Sequence, residues 1–230
     1  MNPQIPGGKY RPNSPWRWSE LADGMARHHV IPYPILRDVF NRLVDLHIYT
    51  DRPEARVTLR QYLSLCSRRL EHLDEKLDKM RFEDADRKRA GHFRLESLDT
   101  DEVNDLRTAA VWPAWNIVEG PHGDRRSDDP KDSEGDLVLD RFMVGLEPAE
   151  RDRMRTVENL SPRLKTFLES TPDPDLSALH ALSSDITLAR RLSGNDLVGC
   201  ERPIPFRPEM WVKESDGLWR KRRLDDSPSS

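Results

Sequence analysis

The sequence predicts a mainly α fold with a small β component (α+β). Three observations carry this. Apolar residues recur at three- and four-residue steps through two long stretches, Ile35–Leu46 and Leu59–Met80, which is the period of an amphipathic helix. Proline and glycine confine extended backbone to two short places, Met25–Ile31 and Met210–Arg220. The 230-residue chain is polar throughout, 34% charged and 36% hydrophobic, with a mean hydropathy of -0.79, yet its six tryptophans and regular leucines require a core. No apolar run approaches the ~20 residues that span a bilayer.

The elements follow in order. Residues 1–24, with Pro3, Pro6, Pro12 and Pro15, read as an extended arm that Trp16 and Trp18 pin to the body. Met25–Ile31 reads as a brief strand ending at Pro32 and Pro34, because a residue before proline is pushed toward extended geometry. Ile35, Val39, Leu43 and Leu46 make one helical stripe, with Phe40 and Val44 beside it. Pro53 suits the first turn of the next helix. In that helix Leu59, Leu63, Cys66, Leu70, Leu73, Leu77 and Met80 form a heptad-like seam, which predicts one amphipathic helix packed on the core, or a dimerising coiled coil.

Residues 83–108 are highly charged with weak periodicity and read as a helical or irregular insertion. Ala109–Asp140, with Trp112, Trp115 and Gly120-Pro121, reads as a loop-rich site region. Helices are expected from Glu147-Pro148 to about Glu169 and from Pro174 to about Leu192, the second stopped by Gly194-Asn195. Trp211-Val212 and Leu218-Trp219 flank Glu214-Ser215-Asp216-Gly217, a β-hairpin with Asp-Gly in its turn. The domain organisation is an arm at 1–24, a single domain at 25–223 with a helical insertion at 51–108, and a frayed tail at 224–230.

The formal net charge of -4 excludes a whole-protein basic field for nucleic acid and leaves room for a local basic groove. Arg87-Lys88-Arg89 and Trp219–Arg223 are the basic runs; each suits phosphate contact or simple surface solvation. Cys66 and Cys200 stand alone, which fits a reducing compartment and neither a disulfide framework nor a cysteine zinc site. Met1–Tyr10 is not a secretory signal.

Two segments concentrate chemistry. In His28-His29-Val30-Ile31-Pro32, adjacent histidines alternate faces on a strand, so one can ligate a metal while the other takes a proton from water. Taken alone, the pair reads first as ordinary packing or surface histidines. The second segment, Asn116 to Pro130, gathers Asn116, His122, Asp124, Arg125, Arg126, Asp128 and Asp129 around Gly120-Pro121. Paired arginines hold phosphate, and aspartate with histidine suits a divalent cation, while a solvated polar loop is the plainer reading.

In their order along the chain, these segments resemble the HNH-type, ββα-metal nuclease toxin domains of bacterial polymorphic and secretion-system effectors. The resemblance covers about 35 residues in two blocks, His28–Pro32 with its following helix and Asn116–Pro130. It implies a ββα-metal-like nuclease core decorated by helices, with the 51–108 insertion folded out of the way. His29 would be the general base and Asn116 would hold its loop and tautomer by hydrogen bonds. His28 would be a metal ligand or orient the site, His122 would be the final metal-binding histidine with Asp124, Asp128 or Asp129 completing the shell, and Arg125 or Arg126 would contact phosphate. The implied cofactor is a divalent metal, Mg²⁺ first and Zn²⁺, Mn²⁺ or Ni²⁺ as alternatives.

The implied substrate is DNA, with RNA open as well because such a site reads the phosphodiester backbone. The implied setting is an antibacterial effector, cytoplasmic in its producer and delivered into a target cell's cytoplasm. A cognate immunity protein and a delivery or chaperone protein would be its partners, with no membrane. His47, His72, His92 and His180 lack motif context and read as structural or surface residues. The alternative function is a non-catalytic helical interaction module, an adaptor or immunity-type partner, built on the Leu59–Met80 seam.

Overall fold

A computed structural model describes residues 4–6, 20–49, 52–67, 70–80, 98–128, 145–170, 176–192 and 202–222. Trp16, Trp18, the 87–89 basic run, Asp129, Cys200, Gly194-Asn195, Arg223 and the 224–230 tail lie outside these residues. The described fold is mainly helical with two small antiparallel sheets. None of its helices is long and apolar enough to cross a membrane.

Strand β1, Met25–His29, leads through Ile31-Pro32 into α1, Tyr33–Tyr49. Leu36, Val39, Phe40 and Leu43 are fully buried on α1, while Ile35 sits at the margin of the stripe. Helix α2, Pro53–Cys66, starts on Pro53, whose missing N–H costs nothing in a first turn. It packs against α1 and against α6, Leu176–Leu192, so residues within 51–108 form part of the central core.

The continuous helix expected over Leu59–Met80 is not what forms. Helix α2 ends at Cys66, Ser67 is extended, and α3, Leu73–Lys79, begins after His72 in the left-handed region at φ 52°. Arg56 then meets Asp78 at 3.0 Å and Arg60 meets Asp74 at 2.8 Å, so α3 runs back antiparallel along α2. The seam residues Leu59, Leu63, Cys66, Leu77 and Met80 are all buried inside this chain. The three-and-four spacing is met by two short helices that share one core, and no long face is left for a coiled coil.

Helix α4, Thr100–Val111, occupies ground read as insertion and loop. Asp99 accepts from the Glu102 N–H, and the Glu102 side chain accepts from the Asp99 N–H, a complete capping box. Helix α5, Pro148–Glu169, opens with the same device at Glu147 and Glu150. Its Arg153 is buried and donates to the carbonyls of Trp115, Ala114 and Arg202, which ties α5 to the turn before β2.

Strand β2, Ile117–Pro121, pairs antiparallel with β1 from Met25↔Pro121 to His29↔Ile117. On its other edge Ile204 donates to Ile117 and accepts from Glu119. The small β unit thus forms in the order strand, helix, distant strand, and a one-turn 3₁₀ helix, Gly123–Arg125, follows β2. The hairpin is present as β3, Trp211–Lys213, and β4, Trp219–Lys221, with Gly217 at φ 86° and the Asp216 carboxylate accepting from the Leu218 N–H. Near the N-terminus, buried Ile5 exchanges two hydrogen bonds with the Asn41 side chain, pinning residues 4–6 to α1.

Candidate active site

The antiparallel register sorts the side chains. Residues opposite one another share a face, and alternate residues along a strand do too. His29, Arg27, Ile117 and Glu119 therefore lie on one face of the β1–β2 ribbon, and His28, Ala26, Val118 and Gly120 on the other.

Asn116 is the pivot. It is fully buried at the entry to β2, on the 3₁₀ turn Ala114–Asn116. Its Oδ1 accepts from the Ile31 N–H at 2.6 Å and its Nδ2 donates to the Ile31 carbonyl at 2.9 Å. Its own carbonyl accepts from the Val30 N–H at 2.8 Å. One side chain thus continues the ladder past the end of β1 and fixes the bend that follows His29. Trp115 is buried and donates from Nε1 to the Leu65 carbonyl on α2.

His29 is half-buried. Its Nε2 lies 2.7 Å from the Val111 carbonyl, and its ring packs on Trp112 and against the edge of Tyr33. A carbonyl only accepts, so Nε2 carries the hydrogen and, in the neutral ring, Nδ1 is the nitrogen that can take a proton. Val111 ends α4, where carbonyls lack intrahelical partners, so His29 also serves as a cap for that helix.

His28 faces another set. Its Nε2 is 2.9 Å from the Pro121 carbonyl, and its Nδ1 is 3.4 Å from Arg126 Nη1. Arg126 is buried, with its side chain 1% exposed. It donates to Asp128 Oδ1 from Nε at 3.0 Å and Nη2 at 2.9 Å, and it lies over the Trp211 ring. Asp128 Oδ2 accepts from the Lys221 N–H at 3.0 Å. His28, Arg126, Asp128 and Trp211 are one closed cluster that locks the β3–β4 hairpin to the ribbon.

His122 and Asp124 stand at the other end. His122 Nδ1 lies 2.6 Å from Asp124 Oδ1, with the two side chains 59% and 73% exposed. His122 follows Pro121, which pairs with Met25, whereas His29 pairs with Ile117. The register separates the two histidines by at least four residues of strand, roughly 13 Å. The expected convergence of His29, Asn116 and His122 is therefore not found: Asn116 and His29 share one end of the ribbon, and His122 sits at the other.

These positions bear on a metal. His28 has both ring nitrogens engaged, Asp128 both carboxylate oxygens, and Asp124 its Oδ1. Among the described residues, no three His, Cys, Asp or Glu side chains group where they could hold a metal ion. Asp129 lies outside the described residues. Among the described residues the donors do not assemble a site that fits the implied metal.

Arg126, read as a phosphate contact, is instead buried against a carboxylate and an indole. Arg125 is exposed, and its guanidinium lies across Gly24. No family model matches the chain. No curated protein and no solved structure matches it either.

The sequence reading missed Arg27 and Glu119, a cross-strand ion pair at 3.6 Å on the His29 face, and Trp211, which roofs the His28 face. Period-two counting from His29 does place Arg27 on its face. For Trp211 the only sequence signal is Gly120, whose missing side chain lets the indole approach.

Proposed function

We propose that the chain is an endonuclease acting on DNA phosphodiester bonds, with His29 as general base, and that it serves as an antibacterial effector restrained by an immunity protein. The observation that supports this reading is the Asn116 clamp on Ile31. It fixes the backbone next to His29, while Val111 sets the ring's tautomer. The resemblance implies the loop-holding role for Asn116; the tautomer, which it also assigns to Asn116, is set by Val111 instead.

In the step this supports, His29 Nδ1 takes a proton from a water molecule. The water oxygen bonds to phosphorus, the bond from phosphorus to the 3′ oxygen breaks, and that oxygen takes a proton from solvent. No step is written through a metal, because the described donors do not form its shell. Of the Leu59–Met80 seam, the feature behind a helical interaction module, Leu59, Leu63, Cys66, Leu77 and Met80 are buried within the chain and Leu70 and Leu73 are half-buried.

The test is nicking of supercoiled plasmid with Mg²⁺ or Mn²⁺, with and without EDTA. Wild-type protein should nick, and His29→Ala should lose activity by about 10²-fold or more. Equal nicking by His29→Ala, or none by wild type with any metal, overturns the reading.

A further inference from the structure

The β1–β2 ribbon that carries His29 is a pair of short strands, and such a pair is marginal on its own. Its register is held from outside, and α5 supplies several of the contacts. Arg153 donates from Nε to the Trp115 carbonyl at 3.0 Å and from Nη2 to the Ala114 carbonyl. Both carbonyls belong to the 3₁₀ turn that ends at Asn116. Arg153 Nη1 donates to the Arg202 carbonyl at 3.3 Å. Arg202 stands just before Ile204, which pairs with β2 on the edge away from β1. The same segment is held again at Arg207, by Glu147 and Glu150 at the start of α5. The opening turns of α5 therefore hold both the entry to β2 and the segment along its outer edge.

Arg153 is buried. A buried cation is costly unless its donors are met, and an apolar side chain of similar volume would avoid that cost. The guanidinium answers the geometry instead: three carbonyls on two separate stretches of chain take a planar fork of donors, which a lysine ammonium lacks. We infer that Arg153 is a positioning residue for the His29 reaction, acting through Asn116. This rests on the nuclease reading. The contacts run from Arg153 to the Ala114 and Trp115 carbonyls, from Asn116 to Ile31, and so to the bend after His29. Releasing the turn lets Asn116 shift against Ile31 and carries the imidazole off the line of attack. A misplacement of about 1 Å can cost about 10²-fold in rate.

Arg42 supplies the comparison. It donates to the Phe167, Leu168 and Ser170 carbonyls, the same kind of contact made roughly 21 Å further along α5. The experiment measures nicking kcat and KM with Mg²⁺ or Mn²⁺, urea unfolding, and amide exchange in wild type, Arg153→Met, Arg153→Lys and Arg42→Met. Arg153→Met should lower kcat about 10- to 10²-fold with KM within about twofold of wild type. It should also speed exchange at the Val30, Ile31 and Ile204 amides, whose acceptors lie on Asn116 and Ile117. Arg42→Met should lower the urea midpoint yet keep the wild-type kcat and the exchange of those three amides. Arg153→Lys, which keeps the charge and loses the fork, should fall between wild type and Arg153→Met in kcat, and it carries the test if Arg153→Met does not fold. Wild-type kcat in the Arg153 variants, unchanged exchange at those amides, or an equal kcat loss in Arg42→Met overturns the positioning role alone. Wild-type protein that nicks with neither metal overturns the nuclease reading beneath it.

Discussion

Asn116 and Ile31 form a closed amide pair: Oδ1 accepts the Ile31 N–H at 2.6 Å and Nδ2 donates to the Ile31 carbonyl at 2.9 Å. The pair lies between β1 and α1 with Asn116 fully buried, so water cannot replace either bond. Asn116→Ala should cost about 2–4 kcal/mol in urea unfolding, since it orphans a buried donor and a buried acceptor. Asn116→Asp keeps the acceptor but faces the Ile31 carbonyl with a second acceptor, so it should also destabilise. If the nuclease reading holds, both variants lose nicking under conditions where they remain folded. A thermal or urea midpoint unchanged by Asn116→Ala would contradict the clamp.

Arg126 and Asp128 give a second prediction. The guanidinium is buried under Trp211 and bound by Asp128 through two hydrogen bonds. Removing one partner of a buried pair leaves the other charge without compensation. Asp128→Ala should therefore destabilise by about 3 kcal/mol or more. It should also speed amide exchange at Lys221, whose N–H donates to Asp128 Oδ2. Arg126→Met with Asp128→Ala should recover part of the loss, because both charges are then gone. Simple addition of the two single-mutant effects would show that the residues act apart.

Several parts of this fold are legible in the chain because their causes are local. Pro53 and Pro148 start helices where a first turn needs no N–H, and Asp216-Gly217 turns the hairpin through a carboxylate and a left-handed glycine. The capping box at Asp99 and Glu102 is equally local, but the charge around it leaves helix and irregular structure both open for α4. The Leu59–Met80 seam shows the opposite case. Its period does not reveal that His72 turns left-handed and folds α3 back, because that choice depends on Leu77 and Met80 burying in a core built by distant segments, with Arg56 and Arg60 meeting Asp78 and Asp74 at the surface. At the site, Asn116 beside the His29 loop was foreseen from its motif. The engagement of Arg126 and Asp128 with each other was not, since it depends on Trp211 and Lys221, nearly a hundred residues away.

Gly120 tests the packing of the hairpin on the ribbon. A Cβ at this position would lie 2.2 Å from Trp211 Cζ2, and the indole is buried. Gly120→Ala should cost about 1–3 kcal/mol by overpacking. In a Trp211→Phe background the same change should cost less, because the smaller ring leaves room for the methyl. Equal costs in the two backgrounds, measured by urea unfolding, would mean the indole is not what Gly120 accommodates.

Acid should loosen α3 before the core gives way. The Lys79 ammonium at 2.8 Å holds the Glu102 carboxyl below its ordinary 4.5, and Arg60 holds Asp74 below its ordinary 3.8. A carboxylate whose folded pKa is lowered stabilises the fold above its unfolded pKa, and that contribution disappears as pH falls through the folded value. The contacts of α3 with α2 and α4 should therefore be intact above about pH 4.5 and weaken progressively below it. Asp45 runs the other way. Burial raises its pKa, so its effect favours the fold at low pH and fades as pH rises through the folded value. Because Asp45 lies on α1, the acid loss should be confined to α3 and its partners. Amide exchange from pH 6 to pH 3, corrected for intrinsic rates, should show protection falling in 73–79 while α1 keeps its own. Glu102→Gln should flatten that fall, since its side chain no longer titrates. A pH profile for α3 identical in Glu102→Gln and wild type would remove the Lys79 pair as the cause.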